Sequence, residues 1–238
     1  METKESSRNR NCIGTIDKHS EENYAKPSIK MRKQKEPSPL LWSIKYREEY
    51  VILKKIKILA IVGSLRKDSY NRQLALATKE LIGDRADFEL LDYHDIPLMN
   101  QDIEYPAPDA VKRVRDAVKS ADGIWFFTPE YNHFFSGVLK NLIDWLSRPI
   151  NEKEPQVLSG RPAAISGISP SMSGTGLAQD HLVTLISFLN MYVMNVPRLT
   201  IPNAMQQVDS EGNLTLKTSY PYLEKQADAF VDFIQRHI

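Results

Sequence analysis

Residues 56–71, with the sequence IKILAIVGSLRKDSYN, join an apolar run to a polar loop through a single glycine. The apolar run is rich in β-branched residues, which is typical of a strand buried on both faces of a parallel sheet, and a strand is predicted at 56–63. After the loop, apolar residues recur at helical spacing, so a helix is predicted at 71–82. A buried strand, a polar loop and an amphipathic helix in succession indicate the first unit of an α/β fold.

The same alternation continues along the chain. Further strands are predicted at 88–91, 122–128, 162–167 and 193–201, and further helices at 110–118, 137–146, 175–189 and 222–234. The strand at 193–201 is predicted as an edge strand that Pro197 interrupts, because proline has no N–H to donate. With right-handed crossovers, this order predicts a flavodoxin-like, doubly wound, five-stranded parallel sheet of order 2-1-3-4-5 with helices on both faces.

The composition is that of an ordinary globular protein. The chain has 238 residues, of which 42% are apolar and 26% are charged. No stretch approaches the roughly 18 consecutive apolar residues of a membrane span, so we expect no membrane partner. Cys12 is the single cysteine, which excludes an intramolecular disulfide and a multi-cysteine metal site. Since the chain shows no apolar signal segment, we expect a cytoplasmic protein.

The formal net charge of +1 combines a basic N-terminal part with an acidic body. Residues 1–57 contain 14 Lys and Arg against 8 Asp and Glu. Residues 58–238 therefore contain 17 Lys and Arg against 22 Asp and Glu. Affinity for nucleic acid comes mainly from Lys and Arg side chains that neutralise phosphates. The acidic body therefore argues against a nucleic-acid partner.

Residues 1–53 differ from the rest in composition. They are rich in polar and charged residues, show neither helical nor strand periodicity, and contain Pro27, Pro37 and Pro39. Such a segment buries too little apolar surface to offset the entropy of ordering it. We therefore expect a disordered basic extension ahead of a domain at 54–238. A docking or targeting segment is the alternative, and a non-AUG start at Val51 or Leu53 is a further hypothesis that would leave the extension untranslated.

The loop at 63–71 lies where the ligands of doubly wound sheets bind, beyond the carboxyl end of a strand. A strand-to-helix turn directs free backbone N–H groups and the positive helix end into one space. The loop lacks the three glycines of a dinucleotide fingerprint and the Gly-Lys-Ser/Thr ending of a Walker loop. Its side chains suit one phosphomonoester, and the candidate ligands are Ser64, Arg66, Ser69 and Asn71. Helix capping is the alternative role for Ser69 and Asn71.

Two more loops follow predicted strands and should lie at the same edge of the sheet. The loop at 128–137 contains Phe134 and Phe135, which are interpreted either as core anchors or as a wall for a flat ligand. In the same loop, Tyr131 can present a ring face, and His133 is interpreted as a rim residue rather than a catalytic acid. The loop at 167–176 is rich in Gly and Ser, which suits close approach of a ligand but is also typical of ordinary connectors.

At these loops the chain resembles the NAD(P)H-dependent FMN reductases, flavodoxin-like flavoproteins that include bacterial quinone, chromate and azo-dye reductases. The likeness covers about residues 55–238. It is carried by GSLR at 63–66 with Ser69 and Asn71, PEYN at 129–132, GVLKN at 137–141, DWLSRP at 144–149, and the pairs Ser169-Pro170, Gly174-Thr175 and Ala178-Gln179. The chain departs from the family pattern at His133, Ser136, Ser171 and Leu177.

The resemblance implies bound FMN, with its phosphate on the first loop and its isoalloxazine ring against the second. The implied cofactor contacts are Ser64, Arg66, Ser69 and Asn71 for the phosphate, Pro129, Glu130, Tyr131 and Asn132 for the ring and ribityl chain, and Ser169 on the far side. No catalytic side chain and no metal are implied, because the flavin carries the chemistry.

The resemblance also implies a reaction. NADPH or NADH would reduce the flavin, which would pass its electrons to a small molecule such as a quinone, an azo compound or a metal oxyanion. Family members commonly form homodimers or homotetramers, in which Arg148 would either meet a partner subunit or lie on the surface. A flavodoxin-like electron carrier, or an FMN-binding protein without NAD(P)H turnover, is the alternative. The sequence leaves open the acceptor and the choice between NADPH and NADH.

Overall fold

A computed structural model describes residues 55–238, so the extension predicted at 1–53 lies outside the described residues. The described strands are β1 (Ile56–Val62), β2 (Ala86–Leu90), β3 (Gly123–Phe127), β4 (Pro162–Ile168), β5 (Tyr192–Val193) and β6 (Leu199–Ile201). The described α-helices are α1 (Tyr70–Ile82), α2 (Asp109–Ser120), α3 (Gly137–Leu146), α4 (Gly176–Phe188) and α5 (Tyr220–Gln235). None of the helices in this part of the chain has the length and apolarity needed to cross a bilayer.

The strands form a parallel sheet of order β2-β1-β3-β4-β5, which confirms the predicted fold. β1 lies between β2 and β3, so that Ile58 pairs with Phe88 on one side and with Gly123 on the other. The order of strands reverses between β1 and β3, and a crevice opens at such a switch point. The carboxyl ends of β1, β3 and β4 therefore meet at one edge of the sheet.

The edge strand predicted at 193–201 is two short strands. β5 pairs through Val193 with Ala163 of β4, and β6 pairs through Leu199 with Ser166 of the same strand. Between these two pairs the chain advances three residues along β4 but six residues from β5 to β6. The N–H of Met194 still donates to Ala163, and the residues at 195–198 leave the ladder. Pro197 lies in this excursion and has no N–H for a ladder hydrogen bond, which explains the gap.

Helices cover both faces of the sheet and bury two separate cores. Strand residues alternate between the faces, with Ile58 and Trp125 in the core under α1 and α5, and Leu59 and Phe126 in the core under α2, α3 and α4. Phe230 of α5 packs edge-on against Trp125, with ring centroids 5.2 Å apart. Because apolar side chains hold the strands on both faces, the loops at the carboxyl edge start from fixed positions.

Candidate functional site

A cleft of about 250 Å³ lies where the loops after β1, β3 and β4 meet. Residues from all three loops line it, and eight of the nine predicted site residues are among them. The eight are Ser64, Arg66, Ser69, Asn71, Pro129, Glu130, Tyr131 and Ser169. Asn132 is the exception. A larger groove of about 610 Å³ runs along β2 and α1, and no residue of the three loops lines it.

The first loop ends in a capped helix. Ser69 is the N-cap of α1, and its Oγ accepts a hydrogen bond of 3.4 Å from the backbone N–H of Arg72. Ser64 Oγ accepts a similar bond from the N–H of Arg66. The capping alternative for Ser69 is thus observed, while its position in the cleft also leaves it beside the positive end of the helix.

Arg66 supplies the positive side chain of the cleft. Its Nη2 donates to the carbonyl oxygen of Asp68 at 2.5 Å, and its guanidinium carbon lies 5.3 Å from the ring centroid of Tyr70. A guanidinium over an aromatic face is attracted by the ring quadrupole, so Tyr70 helps to orient Arg66. Tyr70 was not among the predicted site residues, although its place at the start of α1 could have indicated it.

Asn71 connects the first loop to the end of β4. The side chain is buried, its Nδ2 donates to the carbonyl oxygen of Ile168 at 3.0 Å, and its Oδ1 accepts from the N–H of Ile168 at 3.1 Å. Both ends of the amide are therefore engaged with the backbone. Asn71 thus has a structural role while it also lines the cleft, and its contact with the phosphate stays a prediction.

The second loop folds into a two-residue turn at its tip. Tyr131 and Phe134 exchange both backbone hydrogen bonds, at 2.8 and 3.0 Å, and the residues between them have positive φ of 52° at Asn132 and 64° at His133. Positive φ at both central positions defines a type I′ turn. Asn132, at the first central position of this turn, is not among the residues that line the cleft.

Glu130 connects the second loop to α4. Its side chain is only 6% exposed, and its Oε2 accepts a hydrogen bond of 3.1 Å from the N–H of Ala178 in the first turn of that helix. A carboxylate is favoured at a helix N-terminus by the helix dipole and by the free N–H groups. Glu130 Oε1 also lies 3.5 Å from Nδ1 of the exposed His133. Glu130 is thus buried by its structural contacts while it lines the cleft.

Ser136 connects the second loop to the first. Its Oγ donates to the carbonyl oxygen of Gly63 at 2.5 Å and accepts from the N–H of Leu139 as the N-cap of α3. A Cβ on Gly63 would lie 3.0 Å from Cδ of Pro129, so the two loops are in tight contact at this point. Together, Asn71, Glu130 and Ser136 connect the three loops to one another.

The third loop is held by its own hydroxyl groups. Ser169 is buried, and its Oγ donates to the carbonyl oxygen of Gly174 at 2.6 Å and lies 2.7 Å from Oγ of Ser171. A Cβ on Gly167 would lie 2.2 Å from Oγ1 of Thr175, so the end of β4 requires glycine for this close approach. The loop therefore presents a closed, polar wall to the cleft.

The donor set of the cleft fits one phosphate and one flat ring. A helix N-terminus, two serine hydroxyls and a guanidinium suit a phosphate, and the half-exposed ring of Tyr131 suits a planar heterocycle. Residues 56–206 match the family model for NADPH-dependent FMN reductases. The chain belongs to this family. The resemblance drawn from the sequence is confirmed, and FMN and a pyridine nucleotide are the cofactors of this reductase.

Relatives match this reductase over nearly their whole length and over about three quarters of this chain. A 2-hydroxy-1,4-benzoquinone reductase from Burkholderia is 36% identical over 76% of this chain and 97% of its own. An NAD(P)H-dependent FMN reductase from Pseudomonas aeruginosa is 39% identical over 76% of this chain and 96% of its own. Among solved structures, the flavoenzyme NAD(P)H:(acceptor) oxidoreductase FerB from Paracoccus denitrificans superposes with a TM-score of 0.69 at 35% identity, over 76% of this chain and 98% of that one.

Proposed function

We propose that this reductase holds FMN in the three-loop cleft and uses NAD(P)H to reduce quinones. The observation that carries the proposal is the cleft itself, in which the predicted contacts from three loops line one space. The quinone acceptor is supported by the Burkholderia relative, which is named as a benzoquinone reductase. The three side chains that connect the loops support a site that keeps its shape when the cofactor enters.

In this proposal the first loop holds the phosphate. Ser64, Ser69 and the N-terminal N–H groups of α1 donate hydrogen bonds, and Arg66 adds a positive charge. Hydrogen bonds to a charged group are worth about 1.5–3 kcal/mol each, so Arg66 contributes a large part of the affinity. Asn71 also fixes the first loop to β4.

The second and third loops border the ring. Tyr131, with about half of its surface exposed, offers a face to the isoalloxazine, while Pro129 and Glu130 form the wall behind it. Ser169 closes the opposite side with a hydroxyl held in place by Gly174. Bound FMN supplies the redox chemistry by taking a hydride from NAD(P)H and giving up electrons to the acceptor. The side chains bind and orient the two flat reactants and shield them from water.

The test is anaerobic stopped-flow spectroscopy of the FMN-loaded protein. We expect NADPH to bleach the flavin absorbance and benzoquinone to restore it in a separate step, the pattern of a ping-pong cycle. A protein that binds FMN but is not reduced by NADPH or NADH would instead be an electron carrier or a binding protein, and the proposed function would be wrong.

We further propose that the reductase is a cytoplasmic homodimer or homotetramer, as the family resemblance implies. The position of Arg148 is compatible with this proposal, because its guanidinium remains partly exposed while it pairs with Glu104 of its own chain. Light scattering coupled to size-exclusion chromatography tests the oligomer. A mass of one 27.2 kDa chain would contradict it.

A further inference from the structure

The adjacent phenylalanines of the second loop have opposite environments. Phe135 is 5% exposed and belongs to the core under α2, α3 and α4. Phe134 is 44% exposed, and its ring stacks on the imidazole of His181 in α4, with centroids 4.2 Å apart and planes 23° from parallel. Phe135 therefore has the first of the two predicted roles, that of a core anchor. The exposed ring of Phe134 is compatible with the second, a wall for a flat ligand.

The type I′ turn pairs Phe134 with Tyr131, which lines the cleft. Tyr131 and Phe134 are directly opposite each other and exchange both backbone hydrogen bonds. Side chains of a directly opposed antiparallel pair project from the same face. Tyr131 lines the cleft, whereas Phe134 and His181 are not among its lining residues. The pairing therefore puts the stacked rings of Phe134 and His181 on the face of the turn that Tyr131 shares with the cleft.

His181 gives this surface a polar edge. Its imidazole is exposed, and the neighbouring Asp180 carboxylate is paired at 2.8 Å with Arg198. The imidazole can therefore stack on Phe134 and still offer a ring N–H to an oxygen atom. A flat ring edged with carbonyl oxygens matches both features, whereas a tetrahedral metal oxyanion matches only the polar edge.

We propose that Phe134 and His181 form a platform that binds the electron acceptor and selects extended aromatic quinones. The inference rests on the proposed function, because it assigns the acceptor class of the same cleft. Stacking provides the affinity for the fused rings, and the imidazole N–H orients a quinone oxygen. An acceptor without an aromatic ring cannot stack on Phe134, so this side chain adds nothing to its affinity.

The test compares two acceptors with the reduced, FMN-loaded full-length protein. The second-order rate constant for reoxidation is measured with menadione, a naphthoquinone, and with ferricyanide, which has no aromatic ring. We expect Phe134→Leu and His181→Ala each to lower the menadione-to-ferricyanide ratio by roughly threefold to tenfold, the size expected from loss of one aromatic contact. Phe134→Leu keeps an apolar side chain at this position and so protects the fold.

The control is Phe188→Ala, at the other end of α4, where the side chain is 85% exposed. This variant should leave the ratio at the wild-type value. An unchanged ratio in Phe134→Leu and His181→Ala, or an equal fall in Phe188→Ala, would overturn the platform. If wild-type protein is not reduced by NADPH or NADH, the proposed function fails first, so the two failures are distinguishable.

Discussion

At the scale of single residues, Asn71 is the side chain on which the geometry of the cleft depends most. Its replacement by Ala leaves the N–H and the carbonyl of Ile168 buried without partners. Each unsatisfied buried group costs about 1–3 kcal/mol, so the loss of both partners in Asn71→Ala should lower the free energy of unfolding by about 2–6 kcal/mol. Urea denaturation measures this, with Arg72→Ala, an exposed neighbour on α1, as the control. A loss below about 0.5 kcal/mol would show that the bonds do not hold the loop.

His133 tests whether the flavin needs a proton donor from the second loop. Its side chain is 77% exposed and lies at the tip of the turn, outside the cleft lining. A general acid contributes roughly 10²–10⁴-fold to a rate, but a rim residue contributes little. We therefore expect His133→Ala to retain most of the steady-state NADPH:benzoquinone activity. A hundredfold loss in kcat would show that His133 acts in catalysis.

Glu104 and Arg148 give the stability of the protein a defined dependence on pH. Glu104 is 4% exposed, and the guanidinium of Arg148 donates to both of its carboxylate oxygens, which holds the pKa of Glu104 below its ordinary value of 4.5. A lowered folded-state pKa stabilises the fold above about pH 4.5, and this contribution is lost as the pH falls through the folded value. Wild type should therefore exceed Glu104→Gln in unfolding free energy at pH 7, with a gap that closes below about pH 4.5. A gap that widens on acidification would contradict this assignment.

At the scale of elements, the type I′ turn is held in a conformation that suits glycine better than His133. A non-glycine residue with positive φ is strained by about 1–2 kcal/mol, partly offset by the greater entropy that glycine loses on folding. We expect His133→Gly to be more stable than His133→Ala by about 0.5–1 kcal/mol in thermal or urea unfolding. Equal stabilities would mean that the turn relaxes without the positive φ seen at His133.

The elements that repeat a local pattern were predictable, and those fixed by distant contacts were not. The strand, loop and helix at 56–82 follow from continuous apolarity, a glycine and helical spacing in neighbouring residues. The division of the edge strand into β5 and β6 was not predictable, because it depends on how the residues between them meet β4. The one local indication was Pro197, which cannot donate a ladder hydrogen bond. The type I′ turn has no Asn-Gly or Asp-Gly signal, because the residue after Asn132 is His133.

At the scale of the whole molecule, the strand order predicted from the sequence is confirmed, and it brings the site residues together. The sequence predicted which residues line the cleft, because parallel strands end at one edge and their loops must meet there. It could not predict that the side chain of Asn71 binds the backbone of Ile168, 97 positions away. The roles of Glu130 and Ser136 between loops are likewise set by tertiary contacts that no local pattern records.

The described domain should function without the preceding segment. The family match begins at residue 56, and about three quarters of this chain covers nearly the full length of its relatives. We expect protein that begins at Leu53 to fold and to bind FMN with wild-type affinity, as measured by circular dichroism and flavin fluorescence. Loss of either property would assign residues 1–52 a role in the domain. The hypothesis of a non-AUG start at Val51 or Leu53 is tested separately by mass spectrometry of protein from the native host. Detection of peptides from residues 4–35 would refute that hypothesis.

Binding of the FMN phosphate by the first loop is tested by titrating the apoprotein with FMN and with riboflavin, which lacks the phosphate. Wild type should bind FMN roughly tenfold to a hundredfold more tightly than riboflavin, because charge-assisted hydrogen bonds contribute about 1.5–3 kcal/mol. Arg66→Ala should lose most of this preference while its affinity for riboflavin stays at the wild-type value. Equal affinities of wild-type protein for the two flavins would contradict the account, and a preference for FMN that survives Arg66→Ala would move the phosphate away from Arg66.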